Sequence, residues 1–385
     1  MKARHYSLSF YLAVAANFFF FASFHWIYAT LPGFVQHIGG NLVQIGLATG
    51  IFALSAVVTR PVVGHLVDRW GRKPLLLAGA ALFALAPACY ALVGSVWPFM
   101  AIRVMHGIGI AAFTTAYTAF VADLAPPAQR GETIGLAGLT NNLGLFFMPA
   151  LGSMALAQWG YTPHFLAAAG VAALAVVLIL PVAEPKRSRL DSAGVPVVVV
   201  LRLRPVWVAA LGSTGLAVAY GATLSFMAPL AAGRGLAAAG TYFSAFAATL
   251  MLAQVLAGWL SDRIGRRAVA APGLAVTALA TVGLAVARSD ATLLAAGAAL
   301  GLSWGLVRGG LDAAVVDAVS AENRGTALGL LYACFDAGVG VGSFGLGVAA
   351  QQYGYATAFG LAAAWAAVAL AAYVGLGRTQ RMTGA

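Results

Sequence analysis

The chain has 385 residues, of which 61% are hydrophobic and only 9% charged. A soluble domain carries about 25% charged residues, so a soluble globular enzyme is excluded, as is a disordered chain, which is polar and poor in aromatics. The net charge of +11 sits in short loops beside apolar runs; that excludes nucleic acid as a partner and suits anionic lipid headgroups.

The apolar residues fall in long runs, which predicts an all-α membrane protein. A membrane β-barrel needs short alternating segments and does not fit. Twelve spans are predicted, over residues 8–30, 42–66, 74–94, 97–122, 131–157, 163–182, 206–230, 239–260, 268–287, 290–317, 325–350 and 355–376. Lys2, Arg4 and His5 precede the first run as in a signal peptide, but no small-residue cleavage site follows, so that run is read as span one. Its Phe18, Phe21, His25 and Tyr28 share one side. His25 is a candidate for proton exchange or solute binding, and Tyr28 for solute binding.

Span two carries Arg60 before Pro61, close enough to the cytoplasmic end to snorkel. It runs into the loop Gly64-His-Leu-Val-Asp68-Arg69-Trp-Gly71-Arg72-Lys73. Gly64 and Gly71 allow close packing and a turn. Asp68 is placed to cap a neighbouring helix, and Arg69 and Arg72 to pair with Asp123 at the inner end of span four. Cys89 in span three and Cys334 in span eleven build neither a disulfide framework nor a metal site. Span four holds Arg103-Val-Met-His106-Gly107-Ile-Gly109, with Arg103 and His106 on one face. An arginine at membrane depth is costly, which makes it a functional candidate. Span five contains Asn141, Asn142 and then Gly144-Leu-Phe-Phe-Met148-Pro149-Ala-Leu-Gly152-Ser153.

A charged linker near 183–205 follows; its part 192–205 reads either as interfacial helix or as an early start of span seven, which contains Tyr220. The loop motif then returns as Gly258-Trp-Leu-Ser-Asp262-Arg263-Ile-Gly265-Arg266-Arg267. The offset from Gly64 to Gly258 also maps Asp123 onto Asp317, Arg130-Gly131 onto Arg324-Gly325, and Gly160-Tyr161 onto Gly354-Tyr355. Two homologous six-span halves follow from this, over 1–182 and 206–385, related by an axis along the membrane normal. In span ten, Trp304, Arg308 and Asp312 form one stripe, with Arg308 and Asp312 as an i, i+4 opposite-charge pair. Asp336 in span eleven occupies the repeat position of Asn142, and no basic residue stands within four positions of it. A carboxylate at membrane depth is a proton-exchange candidate, Asp336 first and Asp312 second.

Most of the 22 Lys and Arg residues fall on one side of the membrane, and the opposite loops keep only Arg234 and Arg288. The positive-inside rule puts both termini in the cytoplasm and the chain in the cell's inner membrane.

The sequence resembles the major facilitator superfamily over nearly its whole length. The doubled Gly-x-x-x-Asp-Arg-x-Gly-Arg-Lys/Arg loop is the most specific element. The resemblance implies two six-helix bundles with pseudo-two-fold symmetry and alternating access. It implies a conformational role for Gly64, Asp68, Arg69, Gly71, Arg72, Asp123, Gly258, Asp262, Arg263, Gly265, Arg266 and Asp317, which in the family are thought to latch the outward-open state. It associates Arg103 with proton coupling. The stretch around Pro149 looks like the antiporter signature of span five, with Met148 and Ser153 where glycines are expected.

The expected function is secondary active transport of a small organic solute, as a proton-coupled efflux antiporter for a drug or a polar, anionic or zwitterionic metabolite. The alternative is a proton-coupled uptake symporter for a sugar or organic acid. Span one lacks a carboxylate, and Arg60, Arg103, Arg308, Asp312 and Asp336 leave a positive balance at membrane depth, which argues against a bulky cation. Solute-binding candidates are His25, Tyr28, Arg103, His106, Asn141, Asn142, Tyr220, Trp304, Arg308, Asp312 and Asp336. Proton-coupling candidates are Asp336, Asp312, Arg103 and His25. No cofactor or metal is expected; the partners are the solute, protons and the bilayer, and the chain is read as a monomer. No phosphate loop supports an ATP-driven pump, no nucleophile–base pair supports an enzyme, and the short outer loops do not support a receptor.

Overall fold

A computed structural model of the chain describes residues 7–124, 130–184, 203–319 and 324–378. Most of the linker expected over 183–205 lies outside the described residues, as do Lys2, Arg4 and His5. In chain order the helices are α1 (Leu8–Trp26), α2 (Leu31–His37), α3 (Leu42–Trp70), α4 (Arg72–Tyr90), α5 (Val96–Leu124), α6 (Arg130–Trp159) and α7 (Tyr161–Ile179). They continue with α8 (Arg204–Gly233), α9 (Ala239–Ile264), α10 (Arg266–Val286), α11 (Asp290–Ala318), α12 (Arg324–Tyr353) and α13 (Tyr355–Arg378).

Among the described residues, eleven helices are long and apolar enough to cross a membrane. The 30-residue α6 completes the twelve spans expected, so the protein is an all-α, multi-pass membrane protein. Large apolar side chains such as Val58 (74%) and Val255 (75%) stand exposed on the helices, where lipid rather than water is the matching solvent.

The first span differs from expectation. The expected span runs unbroken over 8–30, but α1 ends at Trp26 and a turn leads into α2. The backbone N–H of Ile27 bonds to the His25 carbonyl, the Thr30 hydroxyl donates to the Ile27 carbonyl at 3.1 Å, and Pro32 opens α2. Proline suits the first turn of a helix and restricts the residue before it.

Two compact units emerge from the packing, Met1–Gly40 with Ile51–Leu190, and Asn41–Gly50 with Asp191–Ala385. In the first, α4 packs on α5 and α7, and α1 on α6 and α7. The second repeats this scheme with the counterpart helices: α10 packs on α11 and α13, and α8 on α12 and α13. The core of the first unit centres on Phe20, which stacks on Phe83 and Phe113 with ring centroids 3.9 Å away in each case. Lipid supplies no hydrophobic drive between helices, so dispersion and close approach hold such a bundle together. At Gly152 of α6 a Cβ would lie 2.0 Å from the Trp26 carbonyl oxygen; only glycine permits that α1–α6 approach.

Candidate functional site

The doubled loop motif builds the same structure twice. Gly71 and Gly265 adopt φ of 103° and 95° between consecutive helices, a region that favours glycine. Arg72 Nε donates to Asp123 Oδ2 at 2.8 Å, and Arg266 Nε to Asp317 Oδ2 at 2.9 Å. Arg72 also lies 3.9 Å from Asp68, and Arg266 pairs with Asp262. The next basic residue closes onto a distant helix end in each unit: Lys73 Nζ donates to the Leu180 carbonyl at 2.8 Å, Arg267 to the Tyr373 and Val374 carbonyls at 2.7 and 3.0 Å. Arg263 lies over the Trp259 ring at 3.8 Å, and Arg69 is exposed.

Two expectations need correction here. Asp68 is 79% exposed and contacts Arg72, whereas the N-terminus of α4 is capped by Glu184, whose two carboxylate oxygens accept from the backbone N–H groups of Arg72 and Lys73 at 2.6 and 2.7 Å. Free N–H groups at a helix start favour such a carboxylate, and an acid arriving from beyond α7 is not visible in the loop spacing. Among the described residues a Cβ at Gly64 or Gly258 would meet nothing within 4 Å, so close packing against them does not explain those two glycines.

Polar side chains of the first unit gather along α1, α5 and α6. His25 Nε2 lies 2.7 Å from Asn141 Oδ1, which places the imidazole proton on Nε2. Nδ1 is then a bare acceptor, buried and without a hydrogen-bond partner among the described residues. Tyr28 meets the His25 ring edge to face at 4.7 Å, and Asn17 Nδ2 donates to Thr140 Oγ1 at 2.8 Å. Asn142 is buried beside Asn141. On α5, Arg103 is buried with its Cζ 4.3 Å over the Phe52 ring. Arg60 Nη1 reaches Thr114 Oγ1 at 3.5 Å. His106, expected to face solute, is fully enclosed among Phe24, Phe52, Phe83 and Tyr90.

Sequence reasoning missed His164. The Trp26 indole N–H donates to its Nδ1 at 3.1 Å, which leaves the proton on Nε2, 2.9 Å from Thr30 Oγ1. Thr30 passes its own proton to the Ile27 carbonyl. This chain ties the end of α1 to α7.

In the second unit, Arg308 Nη2 lies 3.3 Å from Asp312 Oδ2, and the Tyr332 hydroxyl donates to the same oxygen at 3.1 Å. Arg308 also sits over the Tyr332 ring, 4.1 Å from Cζ to centroid. Asp312 Oδ1 is shielded and has no hydrogen-bond partner among the described residues. One helical turn towards the N-terminus, Trp304 meets Tyr220 at 4.4 Å and Phe335 at 5.1 Å, both edge to face, with Phe246 behind at 5.8 Å. The structure thus joins Tyr220, Trp304, Arg308 and Asp312, and adds Tyr332 and Phe335, which the sequence reading passed over. Asp336 is half-buried, four residues beyond Tyr332 and so on the same side of α12. Among the described residues no His, Cys, Asp or Glu cluster could hold a metal.

The sequence profile described as Major Facilitator Superfamily matches residues 13–243 and 233–383. The chain belongs to this superfamily. Membership places it among carriers rather than enzymes. It is 29% identical over 153 residues to Multidrug resistance protein 2 of Bacillus subtilis, a match covering 39% of this chain and 38% of that protein. It is 26% identical over 172 residues to the quinolone resistance protein NorA of Staphylococcus aureus, covering 44% of each. The matches therefore span about two fifths of these relatives. Among solved structures, a bacterial homologue of the human lysosomal transporter Spinster aligns with a TM-score of 0.81, 17% identity and 96% coverage of both chains. The nucleoside transporter NupG aligns with a TM-score of 0.79, 14% identity, and 96% and 99% coverage. At these identities the likeness is one of fold: this superfamily member has the architecture expected from its sequence.

Proposed function

We propose that this chain is a secondary active transporter that moves a small organic solute by alternating access, exporting it in exchange for protons. The observation that carries the reading is Asp312. Its Oδ2 is committed to Arg308 and Tyr332, while its Oδ1 is shielded and unmatched among the described residues. Burying an acceptor without a donor costs about 1–3 kcal/mol, so such an atom is retained where a proton or a ligand N–H comes to it.

The aromatic group Tyr220, Trp304 and Phe335 beside this pair suits a planar ring, and the pair's own neutrality suits a zwitterionic or polar solute over a bulky cation. In the first unit, the bare Nδ1 of His25 is a second proton acceptor, and Arg103 supplies fixed positive charge for coupling. Asp336 shares the α12 side of Tyr332 and joins the coupling set. The export direction is supported by the span-five proline, Pro149, and by relatives named for multidrug and quinolone resistance. Inner-membrane location with cytoplasmic termini follows from the basic loops.

The test uses everted membrane vesicles with an acidic interior and the zwitterionic quinolone ciprofloxacin, followed by its fluorescence. Accumulation that collapses with the gradient and is lost in Asp312→Asn is expected. Uptake by right-side-out cells down an inward proton gradient refutes the export reading. Efflux of quaternary ammonium dyes that depends on Asp312 refutes the substrate class.

A further inference from the structure

The Arg308–Asp312 pair is only half made. An arginine and a carboxylate commonly meet as a fork, each oxygen accepting from its own N–H. Here one guanidinium nitrogen, Nη2, approaches one oxygen, Oδ2, at 3.3 Å, and Oδ1 has no hydrogen-bond partner among the described residues. Asp312 thus keeps an acceptor in reserve. Arg308 keeps donors in reserve: a guanidinium carries several N–H groups, the side chain is 16% exposed, and none of its nitrogens is sealed off without a partner. Tyr332 touches both partners. Its ring lies against the guanidinium, 4.1 Å from Cζ to centroid, and its hydroxyl donates to Oδ2 at 3.1 Å. The ring's face carries the guanidinium and its rim the carboxylate, which sets the two charged groups at different levels and opposes a coplanar fork. Phe335 approaches the same guanidinium at 5.7 Å and Trp304 at 5.1 Å, so the charged pair and the aromatic group are contiguous.

Extending the reading of Asp312 as part of the solute site, and resting on it, we infer that this pair is a receptor for a compact aromatic zwitterion, an α-amino acid with a ring. The carboxylate goes to the spare donors of Arg308, the ammonium to the spare oxygen of Asp312, and the ring to Trp304 and Phe335. Tyr332 is the positioning residue that keeps both charged partners available. The selectivity follows from electrostatics. Opposite charges in contact present almost no net charge, so a lone anion or cation loses to one partner what it gains from the other. A solute whose own opposite charges are neighbours lies antiparallel to the pair and gains at both ends. One carbon separates the ammonium and carboxylate of an α-amino acid, a spacing that suits two side-chain groups in contact. Ciprofloxacin carries its charges at opposite ends and so engages one partner at a time. Oδ1 is shielded, so the Asp312 carboxylate turns to admit the ammonium. An oxygen so occupied cannot hold a proton, which is the exclusion that exchange for protons requires.

The test titrates purified protein in detergent with L-phenylalanine, phenylpropanoate and phenethylamine, which share a ring and differ in their charged ends. The rise of Tm with ligand concentration gives Kd. L-Phenylalanine should bind best, and each one-ended analogue should be weaker by about tenfold or more, the scale of one unmatched buried polar group. Asp312→Asn removes the negative partner and should make phenylpropanoate the best of the three. Arg308→Gln removes the positive partner and should make phenethylamine the best. A role confined to folding or packing shifts all three solutes alike and does not reorder them. Tyr332→Phe keeps the ring and loses the hydroxyl, so the Kd for L-phenylalanine should rise about tenfold as the pair closes on itself.

The wild-type order needs no variant to fold: three solutes bound alike, or no stabilisation by L-phenylalanine, overturns the receptor. Stable variants that keep the wild-type order overturn the placing of the two charged ends. An unchanged Kd in Tyr332→Phe overturns its positioning role. Ciprofloxacin export that depends on Asp312, in a protein that does not bind L-phenylalanine, overturns the receptor and leaves the transport reading standing. Selective L-phenylalanine binding without gradient-driven ciprofloxacin flux supports the receptor and counts against the export reading alone.

Discussion

Gly152→Ala tests the α1–α6 crossing directly. The added Cβ would lie 2.0 Å from the Trp26 carbonyl oxygen, whereas an ordinary C···O contact is about 3.3 Å or more. The helices must part by roughly 1.3 Å, and neither contact atom can rotate away, because one is backbone and the other is fixed to it. Overpacking of this kind costs about 1–3 kcal/mol. At about 2–4 °C per kcal/mol for a unit of 150–250 residues, the mid-range cost lowers Tm by roughly 4–8 °C. The Trp26–His164 hydrogen bond sits at the displaced end of α1, so transport should fall with stability. Gly144→Ala meets its nearest atoms at 3.3 Å and should cost less. Gly170→Ala meets nothing within 4 Å among the described residues and should be neutral or stabilising by up to about 1 kcal/mol, the helix preference for alanine. Thermal unfolding of the purified variants in detergent measures all three. A Gly152→Ala protein with wild-type Tm and flux, or a Gly170→Ala protein as damaged as Gly152→Ala, refutes the reasoning.

Glu184→Ala removes both carboxylate contacts to the start of α4 and should lower stability by about 0.5–2 kcal/mol, read from the same melts, with Glu184→Gln retaining part of it. Trp26→Phe keeps the ring bulk but deletes the donor to His164; Tm should drop by a few degrees, and a variant as stable as wild type would show that the chain through Thr30 holds α7 without it. Arg72→Lys preserves charge but loses the guanidinium's several directed donors to Asp123 and the Val67 carbonyl. Flux should fall while membrane insertion is unchanged, and equal flux would mean that charge alone suffices. Asp312→Asn should cost more gradient-driven flux than solute counterflow, since exchange without net proton movement does not need a titrating carboxylate.

The spans were legible because a bilayer crossing demands a length and an apolarity that no loop mimics. α2 was not, since seven residues beside a span add too little apolar sequence to stand apart. Within the site, legibility followed sequence distance. Arg308 and Asp312 lie on one helix four residues apart, so their pairing could be written down beforehand. His25 and Asn141 each stand out in the sequence, but their contact depends on where α1 crosses α6. Tyr332 and Phe335 stay hidden in the sequence because an aromatic residue in an apolar run offers no polar contrast; only Asp312 reveals the use of the Tyr332 hydroxyl, and only Trp304 the use of the Phe335 ring. Glu184 escaped for another reason: it belongs to a charged stretch where any acid looks solvated.

Glu184 also breaks the repeat. Nearly every other contact of the repeated loop has its twin in the second half, yet the offset that carries Lys73 onto Arg267 carries Glu184 onto Arg378, a residue of the wrong sign to cap α10. The departing chain is moored at the first turn of α4, beside the residue that grips Asp123. Among the described residues the two loops therefore differ in one respect: the start of α4 is held by a carboxylate from beyond α7 as well as by its own arginine, so loss of that carboxylate should disturb the first loop and spare the second.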